Sequence, residues 1–178
     1  MIKSFIKALA FFIFTCNLAI ADSNLASVDQ IGNNNFILVE QEGDFNTSSA
    51  QQIGNGNQAL ANGNLPNVQQ DIPGQVQIGN NNDVSLNQIG NFNRAGQYQR
   101  GEFNVAEIVS SGNANIAVQI QFGNSNRNNL EQDGNFNRSV DAQYGNNNVI
   151  NKTQIGDFNN SRVTQIGNGV VTTISQVR

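Results

Sequence analysis

Most active sites need a nucleophile and a base, and this sequence supplies neither in quantity. Histidine and tryptophan are absent, and the one cysteine is Cys16. Acid–base work would fall to carboxylates such as Asp44, Glu107, Glu131, Asp133 and Asp157. Their simpler role is to sit at solvated outer or turn positions, where charge restrains premature aggregation. A calcium-binding β-roll needs Asp in every turn, whereas most turns here carry Asn. "GNG" at 54–56 is no phosphate loop, because no Lys-Ser/Thr follows it. The expectation is therefore no enzyme, with no catalytic, cofactor-binding or metal-binding residue and no cofactor.

The chemistry that does recur is that of the carboxamide, placed by a fixed spacing. Glycine stands at Gly32, Gly43 and Gly54, then every eleven residues at Gly79, Gly90, Gly101, Gly112, Gly123, Gly134, Gly145, Gly156 and Gly167. Two residues before each is a glutamine: Gln30, Gln41, Gln52, Gln77, Gln88, Gln99, Gln121, Gln132, Gln143, Gln154 and Gln165, with Ser110 as the exception and Gln176 continuing the series. Three residues after each glycine is an asparagine: Asn35, Asn46, Asn57, Asn82, Asn93, Asn104, Asn115, Asn126, Asn137, Asn148 and Asn159, failing at Val170. Composition alone would permit a disordered, prion-like chain. A period this strict points to a repeated structure.

Eleven residues also make nearly three turns of α-helix, the period of a right-handed coiled coil. Each unit, however, carries a glycine that costs about 1 kcal/mol in a helix. The runs between glycines, such as "FILVEQE" and "NIAVQIQ", are short and rich in β-branched or apolar residues, as strands are. Each unit therefore reads as a strand of about seven residues and a turn of about four, with Gly and Asn supplying the positive φ angles of the turn. Two units close one coil. The fold class expected is all-β: a β-solenoid of 11-residue half-coils, about 22 residues per coil, with two facing parallel sheets.

Alternation along each strand assigns faces. Ile37 and Val39, Val84 and Leu86, Ala106 and Ile108, Ser161 and Val163, and Thr172 and Ile174 point inward, and so do the Gln and Asn at the strand ends. A buried amide is costly unless its donors and acceptors are used. Identical amides one rung apart solve this by bonding to one another along the axis, and these Gln and Asn residues are the expected self-assembly ladders. Asp141 and Lys152 also fall on inward positions, which leaves a pair, a wet end or a local change of parity open. The isoleucines after the glutamines (Ile31, Ile53, Ile78, Ile89, Ile155, Ile166) either face outward, as a surface for lateral association, or fold in at the corner. Phe45, Phe92, Phe103, Phe136 and Phe158, just before the turn Asn, should stack or pack over the corners.

From Gln52 to Gln77 the spacing is 25 residues, two units plus three, and both prolines, Pro66 and Pro73, fall there. Proline cannot donate to a ladder. A degenerate segment near 58–76 is expected, with a bulge or loop that divides the stack into a short and a longer block. Counted as one weak strand, it brings the total to fourteen half-coils, or seven coils.

The N-terminus has a different character. Lys3 and Lys7 precede an apolar run, and Ala19-Ile20-Ala21 has the small-x-small form of a signal-peptidase site. Residues 1–21 are expected to be a secretory signal, with Ala19 and Ala21 at its cleavage site, and 22–178 the repeat domain. The apolar run is too short and too interrupted for a membrane anchor, so no membrane span is expected in the mature chain. Its removal takes the only thiol, so a secreted product would depend on burial, backbone ladders or self-assembly instead of disulfides. It also leaves 7 basic against 13 acidic residues, which argues against nucleic acid as a partner.

Gln-x-Gly-x-x-Asn, a small or apolar residue two further on and Gln again at eleven resembles the curlin repeat. "QIGNFNRAGQYQ" (88–99) shows it with Gln88, Gly90, Asn93, Ala95 and Gln99, and the resemblance runs from about Leu25 to Arg178. Curlins are subunits of curli, functional amyloid fibres of bacterial surfaces and biofilm matrix. The resemblance implies polymerisation with itself and with companion curlin subunits in an extracellular cell-surface fibre (pilus or fimbrium) that supports adhesion. It also implies passage through an outer-membrane export pore with periplasmic chaperones. Glycine in both turns and the ending Gln176-Val177-Arg178 look like the minor, nucleating subunit, while the acidic balance looks like the major one. The chain departs from the major-subunit pattern in having no Gly-rich leader before Gln30.

Repeats that begin almost at once and run to the last residue leave no obvious capping element, so open ends are expected to template incoming chains. The alternative is a capped, monomeric β-solenoid that binds ice or carbohydrate on a flat face. Such a face should show one outward residue type, for instance Thr-x-Thr, and Thr here is scarce and scattered.

Overall fold

The computed structural model describes residues 14–18, 23–59 and 75–178. The expected signal cleavage residues Ala19 and Ala21, and both prolines, lie outside these. Every regular element described is a strand. In chain order they are β1 (Phe14–Leu18), β2 (Leu25–Ile31), β3 (Phe36–Glu42), β4 (Thr47–Ile53), β5 (Gln58–Ala59), β6 (Gln75–Ile78), β7 (Asp83–Ile89) and β8 (Arg94–Arg100). There follow β9 (Val105–Ser111), β10 (Ile116–Phe122), β11 (Arg127–Asp133), β12 (Arg138–Tyr144), β13 (Val149–Ile155), β14 (Asn160–Ile166) and β15 (Val171–Val177).

The chain alternates between two parallel sheets. Sheet A runs β1-β3-β5/β6-β8-β10-β12-β14 and sheet B runs β2-β4-β7-β9-β11-β13-β15. Seven-residue strands pair in register with their equivalents one coil on, so Gln121 stands opposite Gln99 and Gln143, and Gln132 opposite Gln154. The result is a β-solenoid of about six turns with 22-residue coils. Between the sheets lies an apolar strip that includes Ile37, Val39, Leu86, Ile108 and Leu130.

The interval with the prolines departs from the expected count. β5 and β6 are two pieces of one strand: Ile37 pairs with Ala59 and Val39 with Gln75. The register leaves one place, opposite Leu38, between Ala59 and Gln75, so the spacing is one unit plus fourteen residues. With β5 and β6 as one, β2 to β15 make thirteen half-coils, not fourteen. Both sheets continue past this point, β4 pairing directly with β7 and β6 with β8.

Ladder bonding does not stop at the corners. Gly54 N donates to Ile31 O and Gly56 N to Asn33 O, both at 2.9 Å, and the pattern recurs at the other turns. This fixes the turn residues. Gly90 has φ 110°, and a Cβ there would lie 2.0 Å from the carbonyl oxygen of Gly112 in the next coil. The second positive φ belongs to the residue two further on and not to the turn Asn: Phe92, Phe103, Ala114, Ser125 and Asn147 all have φ of 55–58°. Five phenylalanines take this left-handed conformation, which is uncommon for a bulky residue and is enforced here by the corner bonds. They remain exposed, and among them only Phe136 and Phe158 stack, with centroids 5.1 Å apart. The isoleucines at 31, 89, 155 and 166 are exposed, which settles their outward direction.

Two glycines separate the causes. Gly90→Ala meets both the strain and the backbone clash and should cost on the order of 3 kcal/mol or more. Gly169 has φ 69°, and a Cβ added there would meet nothing within 4 Å, so Gly169→Ala should cost only about 1 kcal/mol. Denaturant midpoints of the two variants check this.

Candidate functional site: stacked amides and end rungs

The expected glutamines form two end columns, one per sheet, with all their side chains turned the same way. In sheet A, Nε2 of Gln41 donates to Oε1 of Gln77 at 2.8 Å, and the chain continues through Gln99, Gln121 and Gln143 to Gln165. The second Nε2 hydrogen crosses the core to the first residue of a facing strand: Gln77 to Thr47 O, Gln99 to Asp83 O and Gln121 to Val105 O, at 2.9–3.0 Å. Both donors are thereby used, which offsets the desolvation of a buried amide.

Sheet B repeats the arrangement with one gap. Gln30 donates to Gln52 and Gln52 to Gln88, and further on Gln132 donates to Gln154 and Gln154 to Gln176. Ser110 occupies the missing place. Its side chain is too short to reach either neighbour, so Nε2 of Gln88, Oγ of Ser110 and Oε1 of Gln132 are all buried without a partner.

The asparagines behave differently from the expected ladder. Most bind backbone of the adjacent coil: Nδ2 of Asn93 donates to Gly112 O at 2.9 Å, and Oδ1 of Asn93 accepts the backbone N–H of Asn115 at 3.1 Å. Direct Asn–Asn side-chain bonds in this row are few, as from Asn104 to Asn82 and from Asn126 to Asn104. These residues staple successive turns instead of stacking on their own kind. A further row, one residue after each glycine, was not anticipated. Oδ1 of Asn91 accepts Asn55 N, Asn113 accepts Asn91 N, Asn135 accepts Asn113 N, and Asp157 accepts Asn135 N. The recurrent Gly-Asn dipeptide was its signal.

A second buried column was also missed. Gln75 donates to Gln97 and Gln97 to Gln119, two residues before the sheet A end column. "QVQ", "QYQ", "QIQ" and "DAQ" at 75–77, 97–99, 119–121 and 141–143 carry the signal. In the fourth copy Asp141 takes the glutamine's place, and across the core Lys152 takes that of Leu130 and Ile174. The two misfits are an ion pair, fully buried, with Ser139 Oγ 3.1 Å from the ammonium. Burial pushes the Asp141 carboxyl up and the Lys152 ammonium down, each against the pull of its partner.

At the stack ends the pairing lapses. The outer edges of β14, β15 and β2 pair with nothing among the described residues. Inward residues there, such as Val28 and Ile174, are only half-buried. Because donation runs toward higher-numbered rungs, the β2 edge presents the acceptor oxygen of Gln30 and the β15 edge the amide of Gln176, whereas β3 with Gln41 is paired by β1.

The interior is open to direct test. Ser110→Gln should complete the column and raise stability by about 1–3 kcal/mol, read as a higher denaturant midpoint. Lys152→Ile alone should cost roughly 3–5 kcal/mol by stranding the carboxyl, while Asp141→Gln/Lys152→Ile should be neutral or stabilising. In the native protein the Asp141 contribution falls as pH rises above 3.8, because the folded state holds the proton longer. That of Lys152 falls as pH drops below 10.5, because the unfolded state binds the proton first. The double variant should lose both slopes in stability measured against pH.

A model of the curlin associated repeat matches residues 20–43 and 32–62. No curated protein and no solved structure matches the chain. The matched stretch contains β2, β3 and β4, and the later coils continue its spacing, its inward glutamines and its register. A repeat similar to the curlin repeat at residues 20–62, whose spacing and register the later coils copy, makes the whole described stack one array.

Proposed function

We propose that the chain is a structural subunit of an extracellular functional amyloid fibre, a curli-type fibre, that grows by stacking copies end to end. The observation that carries this reading is the pair of unlike end rungs. One offers the amide oxygen of Gln30 on the open β2 edge, the other the amide of Gln176 on the open β15 edge, so the donor end of one copy fits the acceptor end of the next. Such a head-to-tail contact does not close on itself and extends without limit. Each added copy extends the backbone ladders and both end columns of glutamine, which gives cross-β order along the axis.

The repeat family consists of fibre subunits and is not an enzyme family, which agrees with the scarcity of acid–base and nucleophilic groups. Export by an outer-membrane pore with periplasmic chaperones, joint assembly with companion subunits, a place in biofilm matrix and adhesion, and a nucleating role all belong to this proposal. They rest on family resemblance.

The test is assembly of purified chain beginning at Asp22. At micromolar concentration it should form fibres that bind amyloid dyes and diffract at about 4.7–4.8 Å along their axis. Protein that stays monomeric for days would sink the reading, and thermal hysteresis in such a monomer would favour the ice-binding alternative. Gln41→Ala, Gln143→Ala and Gln165→Ala should slow growth more than Asn87→Ala, whose side chain lies on the outer face. A seeding assay with a companion curlin separates nucleator from major subunit.

A further inference from the structure

Without β1, the two sheets hold unequal numbers of strands. Sheet B has seven, from β2 to β15, and sheet A has six once β5 and β6 are taken as one. Copies of residues 22–178 stacked in line, β15 on β2, would leave one place of sheet A empty at every junction. There β14 would face β3 of the next copy across two rungs, ~9.6 Å, where no backbone hydrogen bond forms.

We propose that each copy instead joins the last after half a turn about the stack axis, with β14 pairing to β2 and β15 to β3 of the next copy. Sheet A of one copy then continues as sheet B of the other. This rests on the head-to-tail fibre above and specifies its junction. The half-coils permit it, because strands of both sheets share their length, their end glutamines and their corner bonds. Gln165 then stands opposite Gln30 and Gln176 opposite Gln41, in the direction of donation that runs through both columns.

The corner of such a junction is already present as two halves. Arg178 occupies the place of a corner glycine. Its N–H donates to Ile155 O at 3.0 Å, as Gly167 N does to Tyr144 O. Its carbonyl oxygen lies 2.0 Å from where a Cβ on Gly156 would be, as that of Gly167 does for Gly145. At the other end of the chain Ser23 has φ 68°, the left-handed conformation of the second residue after each corner glycine. Asn24 takes the corner asparagine's place: its Nδ2 donates to Gly43 O at 2.7 Å and its Oδ1 accepts Asn46 N–H at 2.8 Å.

The count between the halves is complete. Two residues separate a corner glycine from its asparagine, and between Arg178 of one copy and Asn24 of the next stand Asp22 and Ser23. The eleven-residue phase thus runs through the half-turned junction unbroken, whereas an in-line junction lacks a whole half-coil. Oδ1 of Asn159 then accepts Asn24 N–H of the next copy, as Oδ1 of Asn137 accepts that of Asn159 at 2.9 Å. β1 is incompatible with this contact, since it pairs with β3 on the edge that the neighbour's β15 takes and sets Leu18, not a glutamine, opposite Gln41.

The test uses fibres of residues 22–178, which contain no cysteine, with pairs of exposed outward residues changed to cysteine. After half a turn Thr164 faces Asp29 and Ser175 faces Glu40 of the next copy; in line, Ser175 faces Asp29. Oxidised fibres of Thr164→Cys/Asp29→Cys and of Ser175→Cys/Glu40→Cys should give at least ~5-fold more cross-linked oligomer than those of Ser175→Cys/Asp29→Cys, given the few-ångström reach of a disulfide. Where a double variant does not assemble, an equal mixture of its two single variants is read for dimers. Equal yields, a preference for the third pair, or fibres in which no pair links overturn the junction and leave the fibre standing. Absence of fibres from the unsubstituted chain sinks the fibre reading, and the junction with it. In the full chain with Cys16→Ser, β1 holds the β3 edge and the link between positions 175 and 40 should fall at least ~5-fold. An unchanged yield there overturns the proposal as well.

Discussion

One constraint governs this protein: each coil lies on the next in register at the rung spacing of about 4.8 Å, through the corners as well as the strands. Every side chain therefore has its own counterpart directly above and below. Glycine is required where two corner backbones approach until a Cβ would meet a carbonyl about 2 Å away. Buried glutamine becomes tolerable for the same reason, since the neighbour that satisfies it is another glutamine held at hydrogen-bond distance. An interior this rich in amides is less a hydrophobic core than a set of polar columns flanking a narrow apolar strip.

Such columns are only as good as their weakest member. Ser110 leaves three buried atoms unpartnered in the middle of sheet B, and Asp141 with Lys152 puts two charges where the three preceding copies hold an amide and the adjoining coils an alkyl chain. Ser110 lies on a mid-sheet strand, whereas Asp141 and Lys152 lie one strand in from the open β14 and β15 edges. The loss at Ser110 is local, because Gln132 and Gln154 resume donation one rung later. At the ion pair the nearby Asn128 Nδ2 is left without a partner, although Gln119 still finds acceptors in the facing strand.

What the sequence made legible was whatever repeats. The half-coil length, the two parallel sheets and the inward direction of glutamine follow from an eleven-residue period and strand parity, and the structure agrees at Ile37, Leu86 and Ile108. What it hid were choices among chemically similar solutions. Propensity assigns positive φ to the turn Asn, whereas corner bonding forces it on Phe92 or Ala114 one place earlier. An asparagine amide bonds a backbone as readily as another amide, and only the shorter reach of its side chain at a corner decides for the backbone. The 25-residue interval reads as extra strand because period alone does not distinguish an added rung from a segment inserted within one.

The common orientation of the amides has an electrical side. From Gln41 to Gln165, and in the neighbouring column from Gln75 to Gln119, each carboxamide dipole points along the axis in the same sense as the next. Aligned dipoles polarise one another, so a hydrogen bond deep in the column is stronger than an isolated pair. In a rod assembled from such units the dipole moment would accumulate with length and appear as opposite partial charges at the two tips.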